Sequence, residues 1–400
     1  MSLAGKKILL GITGGIAAYK VADWVRQLKK LGADITVVMT RSARNFVAPL
    51  TYAALSGNKV YTDMFDPADS EKIPHISLAN QADLIVIAPA TAATIARLAN
   101  GLADDLLSTI TLAATCPVII FPAMNSAMYL HKATQGNLKR LKEYQYHIVP
   151  PDSGSMACGD NGPGRLPEWP LAQDAIMTTL SRKDLKGQHI LITAGPTQEN
   201  FDPVRFISNR STGKMGFALA QAARQRGAEV VLISGPTHLE DIAGIHTEHV
   251  TSAKEMQTAV KKHYQTASII IKSAAVSDYR PASTAKHKIK KGAQNYDCAL
   301  SANTDILKEL GDCKDKNHYF LVGFAAESKN HQKEGLRKLK EKNLDMIVVN
   351  DILGKNTGFA ADTNKVLVLD RNDKSYNLPL MSKAATAHKL LDLIFESIKG

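Results

Sequence analysis

Short apolar runs alternate with turns rich in glycine, proline and alanine, and then with apolar residues at helical spacing, along most of the chain. Lys6–Leu10 with Ile12 predicts a first strand. Gly11, Gly14 and Gly15 then make a tight turn into a helix running to about Leu31. Val21, Trp24, Val25 and Leu28 give that helix one apolar face, and Gly32 is placed to end it. Ile35–Met39 predicts the second strand, with Thr40 and Ser42 at its end. Leu84–Ala88 predicts the next, followed by the small-residue run Pro89-Ala90-Thr91-Ala92-Ala93-Thr94 and a helix to Asn100-Gly101. Ala103–Thr115 reads as a further helix. It feeds Val118–Phe121, a continuous apolar run suited to a strand buried on both faces. Pro122 stops that strand because it has no N–H to give. Alternation of this kind predicts a parallel sheet.

Pro150–Pro170 breaks the pattern. It is dense in proline, glycine and turn residues, and reads either as a linker or as a functional flap. Cys158, between Ala157 and Gly159-Asp160, favours the flap. After Lys186-Gly187 the alternation restarts, with strands at His189–Thr193, Glu229–Ile233, Ser268–Ile271, Tyr319–Gly323 and Met346–Val349. Ser252 and Glu255 make a capping box for the next helix. Val366–Leu369 and Ser375–Leu378 predict an added hairpin turning at Arg371-Asn372-Asp373, and a helix from Ser382 closes the chain. The expected fold class is therefore α/β, with two doubly wound, Rossmann-like parallel-sheet domains. The expected domains are residues 1–188, with the flap or linker at about 150–188, and 189–400.

In an open parallel sheet, ligands sit beyond the carboxyl ends of the strands. Met124 and Asn125 fall there, a soft surface for a flat ring and an amide with two donors and an acceptor; an ordinary strand–loop corner would look the same. The first glycine turn resembles a phosphate cradle at a helix N-terminus, but its glycines do not fit G-x-G-x-x-G. Gly213-Lys214 resembles a P-loop, yet Ser208 and Met215 occupy positions that the motif reserves for glycine and Ser/Thr, so a Walker site is rejected. The turn Ser208–Gly213 suits an anion, or is simply a helix cap. Lys286, Lys288, Lys290 and Lys291 form a basic cluster. With Asp278, and with Lys338 and Lys342 at i, i+4, they make a triphosphate site plausible rather than a merely solvated face.

Composition narrows the partners. Four hundred residues exceed one ordinary core, so two domains are expected. The formal charge is +11, but the cations are scattered and only 6% of residues are aromatic, which points to phosphorylated small molecules rather than nucleic acid. No apolar run has membrane-spanning length and no charged-then-apolar leader opens the chain, so a cytoplasmic protein is expected. Cys116, Cys158, Cys298 and Cys313 have neither C-x-x-C nor zinc spacing.

Taken together, these segments resemble the bifunctional bacterial phosphopantothenoylcysteine decarboxylase/phosphopantothenate–cysteine ligase family of coenzyme A biosynthesis, over essentially the whole length. The motifs that carry the resemblance in the first half are GGIAAYK at Gly14–Lys20, APAT at Ala88–Thr91, PAMNSAMY at Pro122–Tyr129 and ACGD at Ala157–Asp160. In the second half they are TAGPT at Thr193–Thr197, DPVRFISN at Asp202–Asn209, GKMG at Gly213–Gly216, AAVSDYR at Ala274–Arg280, KIKK at Lys288–Lys291 and GFAAE at Gly323–Glu327. Three positions depart from the family pattern: Tyr129 where tryptophan is frequent, Arg210 where histidine is common, and Thr304 in place of a proline.

The resemblance implies an FMN-dependent decarboxylase followed by a CTP-dependent ligase. It assigns His75 as the active-site histidine and base, Asn125 to the substrate carboxylate, and Cys158 as proton donor. FMN contacts are implied at Gly14, Gly15, Ile16, Thr40, Pro89, Ala90, Thr91 and Met124. Oxidising the cysteine thiol creates an electron sink, so that CO₂ can leave; the flavin supplies this chemistry and the protein the orientation. In the ligase half, Lys288 would serve the α-phosphate of CTP and Asn209 the acyl-cytidylate. CTP contacts carry over to Asp278, Lys288, Asn303, Thr304, Asp305, Ile306, Phe324, Lys338 and Lys342. Mg²⁺ would accompany the phosphates, with ligands unknown. The implied small molecules are 4′-phosphopantothenate, L-cysteine and 4′-phosphopantothenoylcysteine, and the implied assembly is a homo-oligomer, trimer-based for the decarboxylase and dimeric for the ligase. An FMN-binding regulatory protein without turnover is the alternative; Cys158 and the complete ligase half speak against it.

Overall fold

The computed structural model describes residues 3–65, 74–155, 159–290, 297–327, 329–351 and 361–399. Contacts divide the chain at Leu180/Ser181 into two compact units.

The first unit carries a six-stranded sheet: β1 (Lys7–Ile12), β2 (Asp34–Met39), β3 (Val60–Tyr61), β4 (Leu84–Ala90), β5 (Val118–Pro122) and β6 (His147–Ile148). The order is β3-β2-β1-β4-β5-β6 and the pairings are parallel. The chain winds outward from β1 to β3, then crosses back to lay β4 on the other side of β1. The switch point therefore lies between β1 and β4, where a crevice opens at the carboxyl ends. Every residue of β4 and β5 is buried, as the continuous apolar runs demanded.

Helices α1 (Ala18–Lys30), α2 (Pro49–Ser56), α3 (Pro74–Gln81), α4 (Ala92–Ala99), α5 (Leu106–Ala113), α6 (Ser126–Leu130), α7 (Lys132–Glu143) and α8 (Trp169–Leu180) complete the unit. The buried face of α1 is Ala18, Val21, Trp24, Val25 and Leu28. Helix α5 is shorter than Ala103–Thr115. Asp105 and Ser108 form a reciprocal capping box, which starts it at Leu106. Much of the 150–170 stretch pairs on itself, as β7 (Asp152–Ser155) against β8 (Asn161–Arg165). Cys158 lies outside the described residues.

The second unit has an eight-stranded sheet of order β13-β12-β9-β14-β17-β18-β19-β20. Its strands are β9 (His189–Ala194), β12 (Glu229–Ser234), β13 (His246–His249), β14 (Ile269–Lys272), β17 (Phe320–Glu327), β18 (Met346–Asp351), β19 (Thr363–Asp370) and β20 (Ser375–Ser382). Pairings are parallel from β13 through β18, and antiparallel for β19 and β20. Two short antiparallel pairs stand apart from this sheet, β10 (Gln198–Asn200) with β11 (Phe206–Ser208) and β15 (Tyr279–Pro281) with β16 (Leu300–Ala302). The β19–β20 turn falls at Arg371–Asp373; the Asp370 carboxylate accepts from the backbone N–H of Asn372 and Lys374, both at 2.9 Å.

Strand alternation builds two cores. Ile190, Ile192, Ile269 and Ile271 face α9 (Lys214–Gln225) and α13 (Lys383–Lys399). Leu191 and Ile270 face α10 (Ala253–His263), α11 (Ile306–Asn317) and α12 (His331–Glu341). The capping box of Ser252 and Glu255 on α10 is formed in both directions.

Residues 181–188 pack on this second unit. Leu185 is fully buried in its core, and the buried Arg226 guanidinium grips the Asp184 carboxylate at 2.9 and 2.6 Å. It also donates to Asp392 Oδ1 at 2.8 Å and to the His388 carbonyl at 3.1 Å. Burial pushes the Asp184 carboxyl up, but the hydrogen bonds and charge of Arg226 outweigh it and hold the group below the usual carboxylate range. Arg226→Met should therefore cost about 1–3 kcal/mol, because it leaves the half-buried Asp184 carboxylate and the His388 carbonyl without this donor. The stability lost is the part present above the unfolded carboxylate pKa. Denaturant melts should show the deficit at neutral pH and a smaller one in acid; a uniform deficit at all pH would mean that packing alone was lost.

Candidate functional site

At the β1/β4 crevice of the first unit, Thr13 Oγ1 donates to the Pro89 carbonyl at 2.6 Å and accepts from Thr91 N at 3.0 Å. This hydroxyl pins the glycine turn to the end of β4. Gly14 must be glycine here, since a Cβ would collide with the Ser42 side chain. Gly15 faces Pro89 and Thr91. Helix α1 begins without a side-chain cap and without an acidic residue in its first turn; the N–H groups of Ala18 and Lys20 turn back to the Gly15 and Ala17 carbonyls at 2.9 and 3.1 Å, so an anion would meet the positive end of the helix there. Ile16 is exposed in that turn. Thr40 stands at the end of β2 and precedes a 3₁₀ turn at Arg41–Asn45. Pro89 and Ala90 end β4, and Thr91 caps α4. Gly14, Gly15, Thr40, Pro89, Ala90 and Thr91 thus belong to the ends of three adjacent strands.

Met124 follows β5, the next strand over, and its N–H donates to the Gly164 carbonyl at 3.0 Å. Asn125 caps α6: its Oδ1 accepts from Ala127 N at 2.8 Å, and its Nδ2 donates to Asp160 at 2.6 Å. Strand β8 is therefore tied to the Met124–Asn125 corner near both of its ends. His75 lies in the first turn of α3, and its Nδ1 is buried without a hydrogen-bond partner among the described residues. A buried ring nitrogen left unpaired is costly, which marks His75 as a group awaiting a partner.

The second unit holds a cavity of about 490 Å³ at the carboxyl ends of β14, β17 and β18. Asn209, Asp278, Asn303, Thr304, Asp305, Ile306, Phe324, Lys338 and Lys342 all line it. The amide of Asn209 donates to the carbonyls of Ala275 and Val276 at 3.0 and 3.2 Å. Asn303 Nδ2 donates to the Ser277 carbonyl at 2.8 Å. Asp305 caps α11 and pairs with Lys342 at 2.7 Å. Burial would raise its carboxyl, yet Lys342 and the Lys308 N–H hold it lowered. Lys338 pairs with Glu327 at 2.6 Å. Gly213 begins α9 in the left-handed region, at φ +77°, with no side-chain cap.

Lys288 is not in the wall. It is exposed, on a segment hung by Ile289, whose N–H donates to Asp202 at 3.2 Å and whose carbonyl accepts from Arg205 at 2.9 Å. Arg205 in turn holds the Asp202 carboxyl well below the usual carboxylate range.

Lysines 214, 272 and 383 also line the cavity, and sequence reasoning missed them. Lys214 was visible inside the rejected P-loop and the GKMG motif, neither of which assigned it a role. Lys272 falls one residue past the strand expected at Ser268–Ile271. It is 4% exposed, and its ammonium finds the Met256 thioether at 3.8 Å. Burial pushes its pKa down to about 7, against the pull of Asp305.

Known proteins agree with this two-unit layout. Residues 1–181 match the flavoprotein family model, and residues 185–398 the model of the DNA/pantothenate metabolism flavoprotein C-terminal domain. The coenzyme A biosynthesis bifunctional protein CoaBC of Vibrio cholerae is 47% identical over 99% of this chain and 100% of its own length. That of Bacillus subtilis is 46% identical over 98% of this chain and 97% of its own. A crystal structure of a CoaBC C-terminal domain is 42% identical and covers 54% of this chain and 98% of that one, with TM-score 0.47. Full-length identity of this order, with both halves in the same sequence order, places the chain in the CoaBC family of bifunctional coenzyme A biosynthesis proteins.

Proposed function

We propose that the first unit is an FMN-dependent phosphopantothenoylcysteine decarboxylase and the second a CTP-dependent phosphopantothenate–cysteine ligase. The observation that carries the reading is the single cavity into which Asn209, Asp278, Asn303, Asp305, Lys338 and Lys342 converge from separate segments. Its lysines suit a triphosphate, and its neutral amides suit the uncharged parts of a nucleotide or acyl group.

The residues of the first unit fit FMN. The glycine turn leaves no room for a side chain at Gly14, and the start of α1, with no acidic residue in its first turn, presents the positive end of a helix to a phosphate. When bound, FMN supplies reversible oxidation of the substrate thiol, which a polypeptide lacks. The chain's own residues do the rest. His75 takes a proton, Asn125 holds the departing carboxylate by its amide, and Cys158 returns a proton to the product carbon. In the second unit, lysines neutralise the phosphates, and Mg²⁺ would ride on them. Asp305 is already held by Lys342, so the carboxylate left for that ion is Asp278.

No helix among the described residues is long and apolar enough to cross a membrane. The substrates we assign are 4′-phosphopantothenate and L-cysteine, and the assembly a homo-oligomer. The test is the product formed from 4′-phosphopantothenate, cysteine and CTP. 4′-Phosphopantetheine is expected, with 4′-phosphopantothenoylcysteine as the intermediate, and its absence would reject the reading. Flavin extracted from freshly purified protein should be FMN; FAD alone, or no flavin, would reject the cofactor assignment.

A further inference from the structure

We propose that His246, Glu248 and His263 bind a divalent transition-metal ion of the zinc class, at a site separate from both proposed active sites. The three side chains offer two imidazole nitrogens and one carboxylate oxygen, all within 4.8 Å of one another. His246 and Glu248 stand two apart on the edge strand β13, so they project from the same face. His263 is the last residue of α10, where the helix's negative end favours a cation.

The donor set decides the ion. Imidazole nitrogen with a single carboxylate suits Zn²⁺, Co²⁺ or Ni²⁺, whereas Mg²⁺ and Ca²⁺ want oxygen. Three protein ligands leave a position for water. Room for it exists in an adjoining cavity of about 210 Å³, lined by His189, Glu229, His246 and His263. His189 and Glu229 open β9 and β12. The site thus lies at the amino ends of the strands, while the nucleotide cavity lies at their carboxyl ends.

Glu248 is already prepared for a cation. Its Oε2 accepts from Lys262 Nζ at 3.1 Å and lies 2.8 Å from His263 Nε2. The Lys262 side chain is 62% exposed, so it can swing into solvent when a metal takes its place. An exposed ion pair of this kind is worth little. Bound metal would tie the end of α10 to the sheet edge, in place of a pair of hydrogen bonds.

The test is a Co²⁺ titration of the chelator-treated full-length protein, without nucleotide, read at wavelengths beyond the flavin bands. One tight equivalent is expected, with the intensified absorption of a nitrogen-ligated, low-coordinate ion, and Zn²⁺ should displace it. His263→Ala and Glu248→Gln should each weaken Zn²⁺ binding at least about tenfold. His249→Ala, one residue outside the set, should not. Melting in excess chelator checks that each variant is folded, and Zn²⁺ should raise the melting temperature of the wild type and of His249→Ala alone. A spectrum that stays that of the hydrated ion would overturn the proposal, as would equal weakening by His249→Ala.

Discussion

Lys272→Met is expected to stabilise the second unit by about 4 kcal/mol at pH 7, at about 1.4 kcal/mol for each unit of pKa shift. The cause is a buried ammonium whose nearest partner is a thioether, with its pKa brought from 10.5 to about 7. Below pH 7 the amine is protonated in both the folded and the unfolded chain, and the full cost of burying the charge is borne. Between pH 7 and 10.5 the unfolded chain holds the proton and the folded one does not, so wild-type stability rises with pH. The advantage of the variant should therefore be greatest at and below neutral pH and vanish near pH 10.5. Denaturant midpoints of both proteins at several pH values measure it. An advantage independent of pH would show that the amine does not titrate in this window. A variant less stable than wild type would show that the amine is well paired. A costly buried amine in a cavity wall is the kind of feature that function retains against stability.

Lys288→Gln and Asn209→Asp should fail at different steps of the ligase reaction. On the proposed function, charge builds on the α-phosphate as the carboxylate attacks, and Lys288, exposed outside the cavity wall, would bring a full positive charge to it. Its loss should slow activation by about 10²-fold or more. Asn209 brings only neutral hydrogen bonds. Its amide is fastened to the Ala275 and Val276 carbonyls, and aspartate would set an oxygen against both. The turn then holds the acyl-cytidylate badly for the incoming amine, while activation proceeds. Pyrophosphate release from CTP, with and without cysteine, separates the two. Lys288→Gln should release almost none in either case. Asn209→Asp should form acyl-cytidylate and pass it on slowly. Equal defects at one step would show that the labour is divided otherwise, and the decarboxylase should be untouched in both.

What the chain determined by itself is the order of its elements and the places where chemistry could lie. Continuous apolar runs such as Val118–Phe121 can only be satisfied by burial on both faces, and the residues after them then fall at strand ends. The Ser252–Glu255 capping box and the Arg371–Asp373 turn were legible because their hydrogen bonds are local, within a few residues. Motif resemblance added expected roles, among them those of Asn209, Lys338 and Lys342, which line the cavity of the second unit. Only the tertiary structure decided which ends meet. Strand order put β1 beside β4, so that Thr13 could bridge to Pro89 and Thr91, a contact between residues far apart in sequence. It left Lys288 exposed outside the cavity wall, and brought Lys272 into that wall with its charge buried. It also joined His246 and Glu248 to His263 across a helix. No spacing rule announces such neighbours, because their proximity is set by how the sheet orders its strands and not by the sequence distance between them.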